Sequence, residues 1–223
     1  MWIWIQERLK RLFRLRFAVL YPFAIYLVFW GKLTARSLLW GGIILFSGML
    51  IRLWSNCYAI KMGKLTTSGP YAHVRNPLYV GTILMVLGIV VMLKVFIVGS
   101  LALVAMAFAY RRTIIQEEKM LSDKFGKAFE DYKSKVPAMI PSFLPYQAGE
   151  KWPMSLARLW ESREHKVFLW GSIGVIAFYL KQELWVGHRA LDAKIICLIA
   201  IALVFCLLDI AGELFKKQGC LKK

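Results

Sequence analysis

Residues 77–110 read PLYVGTILMVLGIVVMLKVFIVGSLALVAMAFAY, a run of apolar side chains broken by one charge, Lys94. At a rise of about 1.5 Å per residue a single helix of this length would reach roughly 50 Å, well beyond a hydrocarbon core of about 30 Å. The chain is therefore expected to fold back near Lys94, giving two adjacent spans. Similar apolar stretches recur at 17–30, 38–54, 167–180 and 194–208, so the sequence predicts about six spans and an all-α, polytopic transmembrane bundle.

Composition agrees with this reading. Of 223 residues, 59% are hydrophobic, and the net charge is +17. Such a charge also suits a nucleic-acid-binding protein, but no basic strand or zinc motif with interleaved aromatics accompanies it, and no nucleic-acid partner is expected. Its distribution is that of a membrane protein. Alternate connections (the N-terminal segment, the loop before residue 78, the stretch 111–166 and the C-terminal tail) hold 23 of the 30 Lys and Arg, and the opposite connections hold six. The positive-inside rule then puts both termini and these loops in the cytoplasm. Residues 1–16 set Trp2, Ile5, Leu9 and Leu12 against basic side chains, the pattern of an interfacial amphipathic helix. Residues 17–145 form the predicted core, and 146–223 a linker with a C-terminal transmembrane hairpin. The four cysteines show no paired spacing, and no metal site is expected.

Polar chemistry is concentrated in two places. The first is the loop LTTSGPYAHVRNPLYVG, residues 65–81. Gly69–Pro70 marks a turn, and Pro77 suits the first turn of the helix that follows. Tyr71, His73, Arg75, Asn76 and Tyr79 are thus gathered at a helix N-terminus, where free N–H groups favour an anionic ligand group. Local physics equally allows a positive-inside loop with two interfacial tyrosines. The second place is the charged continuation of the fourth span, RRTIIQEEKMLSDKFGKAFEDY (111–132), which stays helix-compatible up to an expected break at Gly126. Adjacent helix residues diverge by about 100°, so Glu117 and Glu118 are expected to play different roles. A solvated helix face is the alternative. The prolines of VPAMIPSFLPY (136–146) exclude a regular helix and predict an extended strap over the membrane surface.

In this order and spacing, GPYAHVRNPLYVG and EEKMLSDKFGKAFEDYKSKVPAMIP resemble the isoprenylcysteine carboxyl methyltransferase and phospholipid methyltransferase superfamily. The similarity covers about 50–145, and IRLWSN (51–56) and ESREHK (161–166) resemble its bacterial branch more weakly. It implies a membrane enzyme that uses S-adenosyl-L-methionine, held between the loop before the third span and the segment after the fourth, with a lipophilic or lipid acceptor arriving from the bilayer. Tyr71, Arg75, Asn76, Pro77, Tyr79, Gly81, Glu117 and Tyr132 are then the cofactor-binding candidates, and Glu117, Glu118, Arg111 and Arg112 the catalytic ones. Phe125, Gly126 and Pro137 also map onto the motif. Asn76 stands where many members carry His, and Thr113 stands where the prenylcysteine enzymes carry an Arg one turn before a Glu. His73 is expected to be structural. Two other readings compete: a sterol-type NADPH reductase, whose pattern would need Asn and an acidic residue where Leu78 and Thr82 stand, and a non-catalytic scaffold or transporter, which would need polar residues buried in mid-membrane.

Overall fold

The computed structural model describes residues 26–59, 64–188 and 190–217, and among these the structure is all helical. The predicted amphipathic helix at 1–16, and most of the first predicted span, lie outside the described residues. After a short helical stretch at 26–30 come α1 (Ala35–Tyr58), a 3-10 turn (Gly69–Ala72), α2 (Pro77–Leu93), α3 (Phe96–Phe125), α4 (Lys127–Lys135), α5 (Leu156–Ser162), α6 (Glu164–Leu180) and α7 (Ala193–Lys217). The other five predicted spans all fall within helices. Three helices are long and apolar enough to cross a membrane, namely Ala35–Tyr58, Phe96–Phe125 and Ala193–Leu214, with Pro77–Leu93 a shorter apolar one. The 17 residues of α2 span about 26 Å, slightly less than a hydrocarbon core.

The chain divides into two compact units, one ending at Leu159 and the other starting at Trp160. In the first unit, α1 begins with a capping box: the Thr34 side chain accepts from the Ser37 N–H, and the Ser37 side chain accepts from the Thr34 N–H at 3.0 Å. It packs antiparallel on α2 with the two backbones in contact. A Cβ added at Gly41 would come within 2.4 Å of the Met92 nitrogen, at Gly48 within 2.6 Å of the Gly81 carbonyl, and at Gly88 within 2.5 Å of the Leu45 nitrogen. Small residues permit such an approach where apolar burial gives no preference of helix for helix over lipid. The outer sides of these helices are apolar and open, as at Trp40, Ile43 and Leu50 on α1 and Ile97, Leu101 and Phe108 on α3.

The predicted reversal occurs at Lys94, which takes the left-handed conformation (φ 56°, ψ 34°), while the Leu93 carbonyl accepts from the Lys32 N–H at 3.1 Å. From there α3 runs for 30 residues, about 45 Å, so its last turns project past the apolar zone. It stops at Gly126, whose φ of 51° and ψ of −126° suit glycine alone and redirect the chain into α4. Phe129, Tyr132 and Val136 then form a buried cluster with Leu65, Leu121, Phe125 and Tyr146. The stretch 146–158, assigned from sequence to the linker, belongs to this unit: Ser68 Oγ donates to the Glu150 carbonyl at 2.9 Å and accepts from the Trp152 N–H at 2.8 Å.

The second unit contains the hairpin of α6 and α7. Lys166 lies 3.0 Å from Asp209 and 2.9 Å from Glu213, and the Trp170 indole donates to Asp209 at 3.3 Å. These pairs fix the antiparallel register where α6 starts and α7 ends.

Candidate active site

The loop before α2 is held in place from several directions. Gly69 (φ 61°) is required, since a Cβ there would lie 2.6 Å from the Tyr58 ring. Arg52 on α1 donates to the Leu78 carbonyl and to Thr82 Oγ1, tying α1 to the first turn of α2. The strap makes the third attachment: Arg75 N–H donates to the Pro137 carbonyl (2.9 Å), Asn76 Nδ2 to Ala138 (3.1 Å), Ser142 N–H to His73 (2.8 Å) and Tyr146 N–H to Ala72 (2.9 Å). His73 Nδ1 also meets the Ser142 carbonyl at 2.8 Å, a fastening role in keeping with the structural part expected of it.

Between this loop and the projecting end of α3 lies a cavity of about 190 Å³. Tyr71, Arg75, Asn76, Glu117, Glu118 and Tyr132 line it, together with Leu65, Leu121, Phe125 and Phe129. Two segments singled out from sequence some forty residues apart therefore share one space. Its polar centre is Arg75, 3.2 Å from Glu118, the two side chains only 12% and 15% exposed. Lys133 reaches Glu118 as well, at 3.5 Å. Arg75 Nε and Nη1 are buried without a hydrogen-bond partner. A buried guanidinium with two idle donors is suited to a ligand carboxylate, because leaving such donors unpaired is costly.

Glu117 has different company, as the 100° rotation requires. Tyr79 donates its hydroxyl to Glu117 Oε1 at 2.8 Å, and the Tyr79 ring packs against Tyr110 at 4.6 Å. Tyr132 donates to the Tyr71 carbonyl at 2.7 Å, fixing the loop against α4. Burial pushes the Tyr132 hydroxyl far above its ordinary value, reinforced by Tyr71 and opposed by the nearby Arg75, so it stays a neutral donor.

Other candidates stand outside the cavity lining. Pro77 is buried at the first turn of α2, Gly81 provides the close approach to Gly48 and Arg52, and Tyr79 acts through Glu117. Arg111 and Arg112 are exposed on α3 and do not line the cavity. Arg111 does share a helix face with Glu118, but seven residues separate them by about 10 Å along the axis, below the turns that meet the loop. Thr113, at the position where an Arg was expected, is buried and donates back to the Ala109 carbonyl at 3.0 Å. Sequence reasoning did not anticipate Lys64, Leu65 and Thr66 as part of the wall. The described residues contain no group of three or more His, Cys, Asp or Glu able to hold a metal ion.

Residues 46–128 match the profile of the phospholipid methyltransferase family. A cobalt-zinc-cadmium resistance protein of Cupriavidus metallidurans is 31% identical over 135 residues, 59% of this chain and 62% of that protein. Two protein-S-isoprenylcysteine O-methyltransferases also align. That of Schizosaccharomyces pombe is 36% identical over 91 residues (40% of this chain, 39% of its own), and that of Rattus norvegicus is 35% identical over 85 residues (38% and 30%). The chain thus spans less than two thirds of each of these relatives. No solved structure matches. The matched stretch contains every cavity-lining residue except Phe129 and Tyr132, so the similarity to the phospholipid methyltransferase family falls on the loop and the helix end that form the cavity.

Proposed function

We propose that this chain is a multi-pass membrane methyltransferase that uses S-adenosyl-L-methionine and acts on a lipophilic acceptor, with both termini and the cavity on the cytoplasmic side. The observation that carries the reading is Arg75, with two buried, unpartnered donors in a cavity walled by aromatic side chains. The cofactor's carboxylate fits those donors, and the acidic Glu117 and Glu118 suit its cationic groups. When bound, the cofactor would supply an electrophilic methyl group on a sulfonium.

The protein's contribution is positioning and the management of charge. Arg75 holds a carboxylate, Tyr79 fixes the orientation of Glu117, and Leu121, Phe125 and Phe129 exclude water from the space between them. Alignment of this kind supplies several kcal/mol to a direct displacement. The acceptor is a prenylcysteine-type carboxylate or a phospholipid amine. A carboxylate is already ionised at neutral pH, whereas an ammonium must lose a proton, for which Glu117 is the candidate base. Turnover that rises toward alkaline pH and disappears in Glu117→Gln identifies an amine; turnover nearly flat from about pH 6 to 8 identifies a carboxylate.

Thermal unfolding of the detergent-solubilised protein with S-adenosyl-L-methionine or with NADPH tests the cofactor. A ligand at about 100 times its Kd stabilises by about 2.7 kcal/mol. Stabilisation by NADPH alone would make the protein a reductase, and stabilisation by neither would favour a non-catalytic scaffold or transporter.

A further inference from the structure

The strap has a second side that the cavity does not use. One edge of it is fastened to residues 72–76 by the hydrogen bonds described above, and what stands clear of that edge is apolar. Ile140 is 80% exposed, Phe143 101% and Leu144 82%. Pro141 and Pro145 keep this stretch from folding into a helix that could turn those side chains inward. Three large apolar side chains held open within five residues by a rigid, prolyl backbone form a surface that water solvates poorly.

The position of this surface in the fold identifies what covers it. Residues 72–76 run directly into Pro77, the first residue of the apolar helix α2. The strap, bonded to them residue by residue, therefore lies at the level where α2 begins, the boundary between the apolar zone and water. Exposed Lys135 precedes it at the end of α4, where Lys133 is already paired with Glu118, and no acidic residue occurs from 132 to 149. A basic side chain next to open apolar ones at a helix end is the composition of an interfacial membrane anchor.

We propose that residues 140–144 are a membrane-interface anchor, with Ile140, Phe143 and Leu144 inserted between the headgroups and the upper acyl chains of an anionic bilayer and Lys135 beside them facing phosphates. Because the same strap accepts from the Arg75 N–H and the Asn76 amide, this anchor holds the cavity wall at the membrane surface. The inference rests on the membrane character of the chain and is independent of methyl transfer, so it is tested without an activity assay.

The full chain is prepared with Phe143→p-benzoylphenylalanine, in nanodiscs of phosphatidylcholine containing phosphatidylglycerol, and irradiated. The same replacement at Asp123, exposed on the projecting end of α3, serves as the aqueous control. Phe143 is fully exposed, so the substitution leaves packing intact. Mass spectrometry should find phospholipid adducts at position 143 at about five times the yield at 123 or more, as expected for a side chain in the interface. Equal yields at the two positions, or a position-143 adduct chiefly to another protein chain, would overturn the proposal.

Discussion

Replacing Glu118 by Gln should cost more stability than replacing its partner Arg75 by Met, although both changes break the same ion pair. At 3.2 Å and an effective dielectric constant near 20, the Arg75–Glu118 attraction is about 5 kcal/mol before desolvation is subtracted. Removing one member of a fully buried pair costs about 3–5 kcal/mol, chiefly because the survivor is left uncompensated. The two cases differ in what survives. In Arg75→Met, Glu118 keeps Lys133 at 3.5 Å. In Glu118→Gln, a guanidinium that is 12% exposed, and already has two idle donors, loses its carboxylate. With partial exposure taken into account, the Gln variant should lose about 2–3 kcal/mol, a fall in Tm of roughly 5–10 °C for a chain of this size. The Met variant should lose about half of that. The double variant Arg75→Met, Glu118→Met should return to within about 1 kcal/mol of the native protein, because two apolar residues leave no buried charge behind. Either variant lacking Arg75 should bind S-adenosyl-L-methionine about 10–100-fold more weakly, the value of a charge-assisted contact. Thermal unfolding in detergent and equilibrium binding of labelled cofactor give the two readouts. A double variant as unstable as the two single losses added together, or an Arg75→Met variant with native affinity, would refute the reasoning.

Tyr79→Phe removes the hydroxyl that orients Glu117 and should slow methyl transfer about tenfold with little change in Tm, whereas Glu117→Gln should slow it further; native turnover in either variant would remove that residue from the site. Folding keeps Tyr132 protonated above its ordinary pKa of about 10, so its contribution is constant below pH 10 and falls above it, where only the unfolded chain gives up the proton. Tyr132→Phe should therefore lose about 1 kcal/mol at neutral pH, the worth of its bond to Tyr71, and show a shallower alkaline decline in a pH series of unfolding curves. Gly88→Leu must force α1 and α2 apart, since even a Cβ meets the Leu45 backbone at 2.5 Å, and should abolish the folded protein on size exclusion, whereas Gly174→Leu on α6, where a Cβ meets nothing, should be tolerated. A cysteine placed at Ser122 should resist membrane-impermeant labels applied from outside intact cells; modification would reverse the proposed topology.

Features that depend on local chemistry were legible in the sequence. The reversal at Lys94 followed from the length of an apolar run, the break at Gly126 from a glycine in a helical pattern, and the separate partners of Glu117 and Glu118 from the rotation per residue. What was not legible depends on long-range placement. The face shared by Arg111 and Glu118 followed from the helix repeat, but not how far along that face the loop would sit, so Arg111 and Arg112 stand outside the cavity that Arg75 lines. The strap is fastened through the carbonyls of Pro137, Ala138 and Ser142, and backbone acceptors leave no trace in residue type. The pairing of Gly41 and Gly48 with the backbone of α2 was equally hidden, because a glycine does not announce what approaches it.

That glycine seam also determines how a greasy molecule can travel. Gly41, Gly48 and Gly88 lie along most of α1 and α2, and at each one the opposing backbone leaves less room than a single carbon atom needs. No acyl or prenyl tail can slide between two helices whose main chains touch, so that flank of the cavity is shut to the bilayer. The contact between α3 and α2 is made by side chains instead, Gly99 against Val90 and both Tyr110 and Glu117 against Tyr79, so for the proposed lipophilic acceptor this is the flank left to enter by.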